Sequence, residues 1–307
     1  MTSKPLLATL LAPTLLALTL AGASSALALG LEGAPPAAAS FRLGALTVTA
    51  LRDGAYVSAN DGGDFGSNVG PWEVGKLLAA AGASQDDVTL DVDALLVRMP
   101  GHAVLLDTGS GAYGHGALQQ SLRLAGVAPD AVTDVLITHS HIDHAGGLVG
   151  ADGGLAFPRA TIWMSAREWA SMRGGQASKL VAAIAPRVKT FEPGHEILPG
   201  ITPVALYGHT VGHVGYEIVS QGRRLEDIGD AAHSTIISLG RPAWWGWIDE
   251  APQPARATRL AELRRLAARH ELVFAPHFPF PGVGWVAAKG DGYVWKPDTD
   301  VLRDRGG

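Results

Sequence analysis

Cysteine is absent from this chain of 307 residues. The protein therefore forms no disulfide bonds, and any metal site must use nitrogen and oxygen ligands instead of thiolates. Lys and Arg nowhere form a block, and Asp and Glu outnumber them by 29 to 24. The basic footprint of a nucleic-acid-binding protein is thus missing, and we expect no nucleic-acid partner. Only 17% of the residues are charged, whereas 47% are hydrophobic, which is enough to build a sizeable core.

The N-terminus carries an apolar run that begins after the single cation Lys4. Small residues with Ala-x-Ala spacing follow at Ala26 and Ala28. This pattern predicts a secretory signal peptide over residues 1–28. A membrane anchor is the alternative, but the run is short and is interrupted by Pro13. We expect a periplasmic or secreted protein without a membrane anchor after cleavage.

A small-residue, Pro-rich segment over 29–40 is predicted to be a linker, and 41–307 to form a single catalytic domain. Apolar alternation predicts strands over 41–54, 93–109 (a hairpin), 132–140, 160–165, 201–208, 214–222, 223–229, 271–282 and 292–297. Helical spacing predicts helices over 117–126, 166–172 and 254–270. The Gly-rich segment 59–75 is predicted to be a loop. This mixed order favours a layered α/β sandwich of two mostly antiparallel sheets.

The stretch THSHIDHAGG, residues 138–147, holds three of the 11 histidines. In an extended chain, residues i and i+2 face the same side, so His139 and His141 can point into one site. Asp143 and His144 follow where the chain turns, and they can serve an adjacent site. Gly146 and Gly147 are expected to let the backbone bend tightly beneath these side chains.

Further metal-binding side chains follow three other predicted strands. They are His209, Asp230 and His277. Imidazole and carboxylate ligands without sulfur suit Zn²⁺ first, with Mn²⁺, Co²⁺ or Fe²⁺ as alternatives. We expect His213 and His233 to pack against or orient these ligands and not to bind metal.

The order HxHxDH, GHTxGH, GD and a late His resembles the metallo-β-lactamase superfamily. The resemblance implies an αββα sandwich with two divalent metal ions. The first ion would be held by His139, His141 and His209, the second by Asp143, His144 and His277, and Asp230 would bridge them.

Within that superfamily the segments DTGSGAYG, LAFPRAT and HFPFPG resemble the methyl parathion hydrolase branch, which includes exported lactonases and esterases. This resemblance covers roughly residues 40–298. It is also the basis on which we expect a homodimer, since no other feature of the sequence indicates one. Tyr113 stands where that branch would have an aromatic pocket residue. Aromatic side chains of the Trp-rich segment 241–250 and of the Gly-rich segment 59–75 are further candidates for an apolar substrate pocket, with ordinary packing as the alternative. The candidate pocket residues are Phe65, Tyr113, Trp244, Trp245 and Trp247.

Two such ions would activate a bridging water to a hydroxide, which attacks a lactone, aryl ester or phosphotriester of a small-molecule substrate. Asp143 and Asp230 are the candidate catalytic residues, Asp143 as a proton acceptor and Asp230 as the bridge. A β-lactamase is the first alternative, because export suits it. A non-enzymatic metal-binding protein is the second.

Overall fold

The structure is a computed structural model that describes residues 30–175 and 177–300. The strands of the first sheet are β1 (Gly30–Gly33), β2 (Ala38–Leu43), β3 (Leu46–Ala59), β4 (Asp87–Met99), β5 (His102–Leu106), β6 (Asp134–Leu136), β7 (Thr161–Ser165) and β8 (Val188–Phe191). The strands of the second sheet are β9 (Ile201–Ala205), β10 (Val214–Ser220), β11 (Arg223–Asp227), β12 (Leu272–Phe274), β13 (Val283–Lys289) and β14 (Gly292–Pro297). The predicted signal peptide lies outside the described residues.

The first sheet has the order β1-β3-β4-β5-β6-β7-β8, with β2 also paired to β3. Its pairs are antiparallel as far as β5 and parallel from β5 to β8. The second sheet has the order β14-β13-β12-β11-β10-β9, and only β11 and β12 are parallel neighbours. Both sheets are therefore mixed, and the first is less antiparallel than we predicted.

The helices are α1 (Pro71–Ala80), α2 (Leu118–Leu124), α3 (Ile142–Ala145), α4 (Ala166–Gly174), α5 (Ser178–Ile184), α6 (Ile237–Gly240) and α7 (Pro252–Arg269). A core of apolar side chains from both sheets fills the space between them, with Leu95 of β4 and Ile218 of β10 fully buried there. The outer face of the first sheet packs against α2, α4 and α5. The outer face of the second packs against α7. The layers are those of the predicted αββα sandwich, and the fold class is confirmed.

Helix α7 shows where the helical pattern was incomplete. Leu263 and Leu266 are buried against the second sheet, as the spacing predicts. Arg259 of the same helix is only 3% exposed although it is charged, which the spacing of the leucines does not predict. Its guanidinium donates to the Pro242 and Trp244 carbonyls and lies 3.4 Å from the Asp249 carboxylate. A charged side chain is buried here because the preceding loop supplies acceptors.

Two predicted irregular segments contain regular structure. Residues 30–33 and 38–40, inside the predicted linker, belong to β1 and β2, because both pair with the long strand β3. The predicted loop 59–75 ends early, since α1 begins at Pro71, a residue suited to the first turn of a helix. No helix of the described part of the chain is both long and apolar enough to cross a membrane.

Candidate metal centre

Four of the predicted metal ligands form a first group, made of His139, His141, His209 and Asp230. His139 comes three residues after β6 and His209 four residues after β9. The Nε2 atoms of His139 and His209 are 3.1 Å apart. The Nδ1 atom of His141 lies 3.1 Å from the first and 2.9 Å from the second. Three imidazole nitrogens from two sheets thus converge on one point.

The far nitrogens of two of these rings are already used. His139 Nδ1 lies 3.0 Å from Thr138 Oγ1, whose hydroxyl donates to Asp107. His209 Nδ1 lies 3.0 Å from Asp249 Oδ1. Each Nδ1 therefore carries the proton, and each Nε2 presents a lone pair to the convergence point.

Lone pairs that face one another at these distances repel unless a cation lies between them. Tetrahedral Zn²⁺ with bonds of about 2.0–2.1 Å keeps its nitrogen ligands roughly 3.3 Å apart. The donor set and its spacing therefore fit a metal ion.

A second group consists of Asp143, His144 and His277. The Nε2 atoms of the two histidines are 3.2 Å apart. Asp143 Oδ2 lies 3.6 Å from the first and 3.5 Å from the second. His144 Nδ1 is 2.8 Å from Asp107 Oδ2, and His277 Nδ1 donates to the Asp91 carbonyl at 2.7 Å. Again the outer nitrogens are held by the protein and the inner ones face a common point.

Asp230 lies between the two groups. Its Oδ1 is 3.2 Å from His144 Nε2, and its Oδ2 is 3.2 Å from both His209 Nε2 and His277 Nε2. The side chain is 4% exposed, yet Oδ1 makes no hydrogen bond to any described residue. A buried carboxylate oxygen without a donor is what a position shared by two cations requires.

The proton affinities of these side chains follow from Asp230. Burial alone would raise the pKa of Asp230, but the neighbouring histidines, His144 first, hold it well below its usual value. Burial opposes the charged form of every histidine here. The Asp230 carboxylate nevertheless raises the pKa of His209 to about 9 and that of His144 as well. Burial and neighbouring imidazoles lower the pKa of His139 and bring that of His141 to about 4. The arrangement favours positive charge around Asp230.

Glu168, at the start of α4, joins the two ligand-bearing loops. Its Oε1 accepts from the Ser140 backbone N–H at 2.8 Å and from the Ser140 hydroxyl at 2.6 Å. Its Oε2 accepts from the Thr210 hydroxyl at 2.6 Å and the Gly212 N–H at 3.1 Å. The Glu168 N–H in turn is capped by Ser165 Oγ. This buried carboxylate therefore holds the loop after β6 against the loop after β9.

His213 and His233 both approach Asp230 without belonging to the two metal groups described above. His213 Nδ1 donates to the Leu206 carbonyl at 2.8 Å, and its Nε2 accepts from the Asp230 N–H at 2.9 Å. Burial lowers the pKa of His213 to about 3, so the ring stays neutral and accepts the hydrogen bond from the Asp230 backbone. His233 Nε2 lies 3.3 Å from Asp230 Oδ2.

Gly147 was predicted to allow a tight bend of the backbone, but in the structure it allows a close approach to Thr108. Its φ is not positive, but a Cβ at this position would collide with the Thr108 carbonyl. The glycine is needed because the backbone after α3 passes directly against the segment after β5, where its N–H donates to the Gly109 carbonyl. The local requirement is therefore space, not an unusual turn.

A cavity of about 430 Å³ opens over both metal groups. Among its lining residues, those from the metal groups are His141, Asp143, His209, Asp230 and His277. The others are Gly30, Leu31, Tyr56, Asp64, Leu90, Ile142 and Ile248. Lys and Arg are absent from this lining, as far as the described residues go. The cavity is thus apolar apart from the metal groups and the Tyr56–Asp64 pair.

The five predicted pocket residues do not line this cavity. Phe65 is buried in the cluster around α1, and Trp244 and Trp245 border a separate cavity of about 10 Å³. Tyr113 and Trp247 are 62% and 67% exposed. The cavity over the metal groups is therefore not the Trp-lined pocket that the sequence suggested. The Trp-rich loop pairs with the Gly-rich loop, and Ile248 lines the cavity instead.

Several residues that act at the site were not predicted from the sequence. Asp107 directly follows β5, the parallel neighbour of β6, so its place beside His144 could have been found from that adjacency. Glu168 follows Ser165 at capping-box spacing, which signals a helix start but not its contacts with Ser140 and Thr210. Asp249 lies in an irregular loop and gave no signal.

Comparison with known proteins agrees with this geometry. Residues 88–277 match the model of the family described as Metallo-beta-lactamase superfamily. A stretch of 62 residues is 47% identical to mouse Metallo-beta-lactamase domain-containing protein 1, and it spans about a fifth of that protein's length (21%).

Two solved structures are similar over most of the chain. AidC, a dizinc quorum-quenching lactonase solved with the product N-hexanoyl-L-homoserine, is 26% identical with a TM-score of 0.79. The hydrolase AbOPH of the beta lactamase superfamily is 29% identical with a TM-score of 0.78. Each similarity covers 86% of this chain and 98% of the other.

Proposed function

Because this chain belongs to the metallo-β-lactamase superfamily, we propose that it is a dinuclear metal-dependent hydrolase that cleaves lactones, with aryl esters and phosphotriesters as related substrates. The observation that carries this proposal is the position of Asp230. It contacts both His/Asp groups, and both groups open into one cavity large enough for a small molecule. The dizinc lactonase similar to this chain supports the choice of a lactone as the first substrate.

The residues present fit two divalent ions, with His139, His141 and His209 holding one, and Asp143, His144 and His277 the other. Two bound divalent ions would supply an activated water and polarise the oxygen under attack. The chain's own contribution is orientation, since Thr138 and Asp249 fix which nitrogen of their histidines faces inward. Zn²⁺ suits this nitrogen and oxygen set best, with Mn²⁺, Co²⁺ or Fe²⁺ as alternatives.

Asp143 is the proposed proton acceptor. It lines the cavity and its side chain is 17% exposed, whereas the side chain of Asp230 is 4% exposed. A carboxylate at the cavity wall can take a proton from the attacking group and return it to a leaving oxygen. Asp230 cannot easily do this, because its two oxygens face the histidines of both groups.

The cavity chemistry favours a neutral substrate over a β-lactam. Its wall is built from Leu31, Leu90, Ile142 and Ile248, which suit an acyl chain or an aryl group. A β-lactam antibiotic carries a carboxylate, and among the described residues this cavity presents no Lys or Arg to receive it. It presents Asp64 instead. Export through the predicted signal peptide over residues 1–28 and a homodimeric assembly remain part of the proposal.

The test is steady-state turnover of the metal-loaded protein. We expect hydrolysis of N-hexanoyl homoserine lactone and of an aryl ester at rates well above those of His139→Ala, with nitrocefin turned over poorly. Metal content of both proteins, measured by plasma emission, shows whether the variant has lost an ion. A fully loaded protein that hydrolyses neither ester nor lactone would instead support a metal-binding protein without catalytic activity. Preferred turnover of nitrocefin would favour a β-lactamase.

A further inference from the structure

One wall of the cavity carries a carboxylate that the metal groups do not use. Asp64 Oδ2 accepts from the Tyr56 hydroxyl at 2.9 Å and from the Ser58 hydroxyl at 2.8 Å. Its Oδ1 makes no hydrogen bond to any residue that the structure describes, and no described Lys or Arg forms a salt bridge with Asp64. Both Tyr56 and Asp64 line the cavity together with His141 and Asp230.

The position of Asp64 is fixed by its loop as well as by its side chain. The Gly-rich loop 60–70 pairs with the Trp-rich loop 244–248 through two backbone hydrogen bonds. They join Ser67 N–H to the Trp245 carbonyl at 2.8 Å, and Trp247 N–H to the Gly63 carbonyl at 2.9 Å. A Cβ on Gly246 would collide with the Asp64 carbonyl, so this glycine lets the two loops meet at that point.

Tyr56 acts as a fixed donor. Burial, followed by the adjacent Asp64 carboxylate, raises the pKa of Tyr56 to about 12, so its hydroxyl keeps its proton at every ordinary pH. Through this proton the Tyr56 hydroxyl donates a hydrogen bond to Asp64 Oδ2. The remaining oxygen of Asp64 is therefore an oriented, charged acceptor beside an otherwise apolar wall.

We propose that Asp64 is a specificity-determining residue, which accepts a hydrogen bond from an N–H group of the substrate next to the bond that is cleaved. The inference rests on the proposed function and deepens it, because it selects among lactones. Loss of water from a carboxylate at an apolar wall is costly unless a donor replaces it, and an amide N–H of the substrate would be that donor. An anionic substituent at the same place would be repelled by the charge.

The test compares two lactones that differ in one group. One is N-hexanoyl homoserine lactone, and the other has a CH₂ in place of its N–H. Ring opening of both is measured by mass spectrometry for the metal-loaded wild type, Asp64→Ala and Tyr56→Phe. Asp61→Asn is the matched control, because Asp61 is an exposed residue of the same loop that does not line the cavity.

We expect the wild type and Asp61→Asn to prefer the N–H lactone in kcat/KM by about tenfold, as for a hydrogen bond to a charged acceptor. The preference should fall close to one in Asp64→Ala and should be reduced in Tyr56→Phe. A purely structural role of Asp64 would lower both rates together and leave their ratio unchanged, which would overturn the proposal. Equal rates for the two lactones in the wild type would overturn it as well. Hydrolysis of neither lactone by the wild type would refute the proposed function itself.

Discussion

Replacement of Glu168 by Gln should loosen the metal centre without touching any proposed ligand. The carboxylate is 1% exposed and accepts four hydrogen bonds from Ser140, Thr210 and Gly212. An amide of the same shape must turn its NH₂ group either toward the two donors of Ser140 or toward the donors of Thr210 and Gly212. Each set contains a backbone N–H, which cannot become an acceptor.

At least one buried N–H is then left without a partner, at a cost of about 1–3 kcal/mol, and the other bonds lose their charge. We expect the free energy of unfolding to fall by about 3 kcal/mol in total. For a domain of this size that corresponds to a decrease in Tm of about 6–12 °C. Because the two loops carry His139 and His209, affinity for the metal should also fall, by about 10- to 100-fold.

Thermal unfolding of the metal-loaded proteins and titration with a competing chelator measure the two effects. Glu196→Gln is the control, since Glu196 is exposed and should change neither quantity. An unchanged Tm together with unchanged metal affinity in Glu168→Gln would refute the role given to this side chain.

Two further predictions concern Asp230 and Glu226. Asp230→Asn should lower the metal content from about two equivalents to one or none, because an amide bridges two cations poorly. Metal content is measured by plasma emission after gel filtration, and a variant that keeps two equivalents would show that the bridge is unnecessary. Burial, and then the neighbouring Glu262, raises the pKa of Glu226 from its ordinary 4.5 to about 8, although the Arg265 guanidinium opposes the shift. The folded protein holds this proton more tightly than the unfolded chain, so the contribution of Glu226 to stability is present below pH 4.5 and is lost as the pH rises towards 8. Urea unfolding across this range should show the Glu226→Gln variant gaining stability relative to wild type, and a difference that does not vary with pH would contradict the assignment.

The metal centre was predictable because each of its parts follows a strand. His139, His209, Asp230 and His277 all come shortly after an apolar strand segment, and their positions require only that those strand ends share an edge. The layered architecture was predictable as well, because the mixed order of strands and helices along the sequence favours two sheets covered by helices. The direction of individual strands was not, since short buried strands such as β6 look alike in parallel and antiparallel sheets.

The cavity over the metal groups could not be predicted in the same way. Its walls depend on the pairing of two irregular loops, and that pairing rests on the small size of Gly246 and on backbone hydrogen bonds that leave no periodic pattern. Aromatic content suggested Trp244 and Trp247, but the pairing directs Ile248 and Asp64 into the cavity. The contact of Asp249 with His209 was also missed, because Asp249 lies in an irregular loop without a periodic pattern.

The inward-facing nitrogens of the centre belong to both layers of the sandwich. His144 lies in α3, shortly after strand β6 of the first sheet, and His277 follows strand β12 of the second sheet. The Nδ1 of His277 also donates to the Asp91 carbonyl of β4 in the first sheet. Any ion held there would fasten one half of the domain to the other. The folded population would then depend on free metal concentration, with a gain of about 2.7 kcal/mol when the ion is present at a hundredfold excess over its Kd. A shortage of metal would therefore lower the stability of the folded protein as well as its activity.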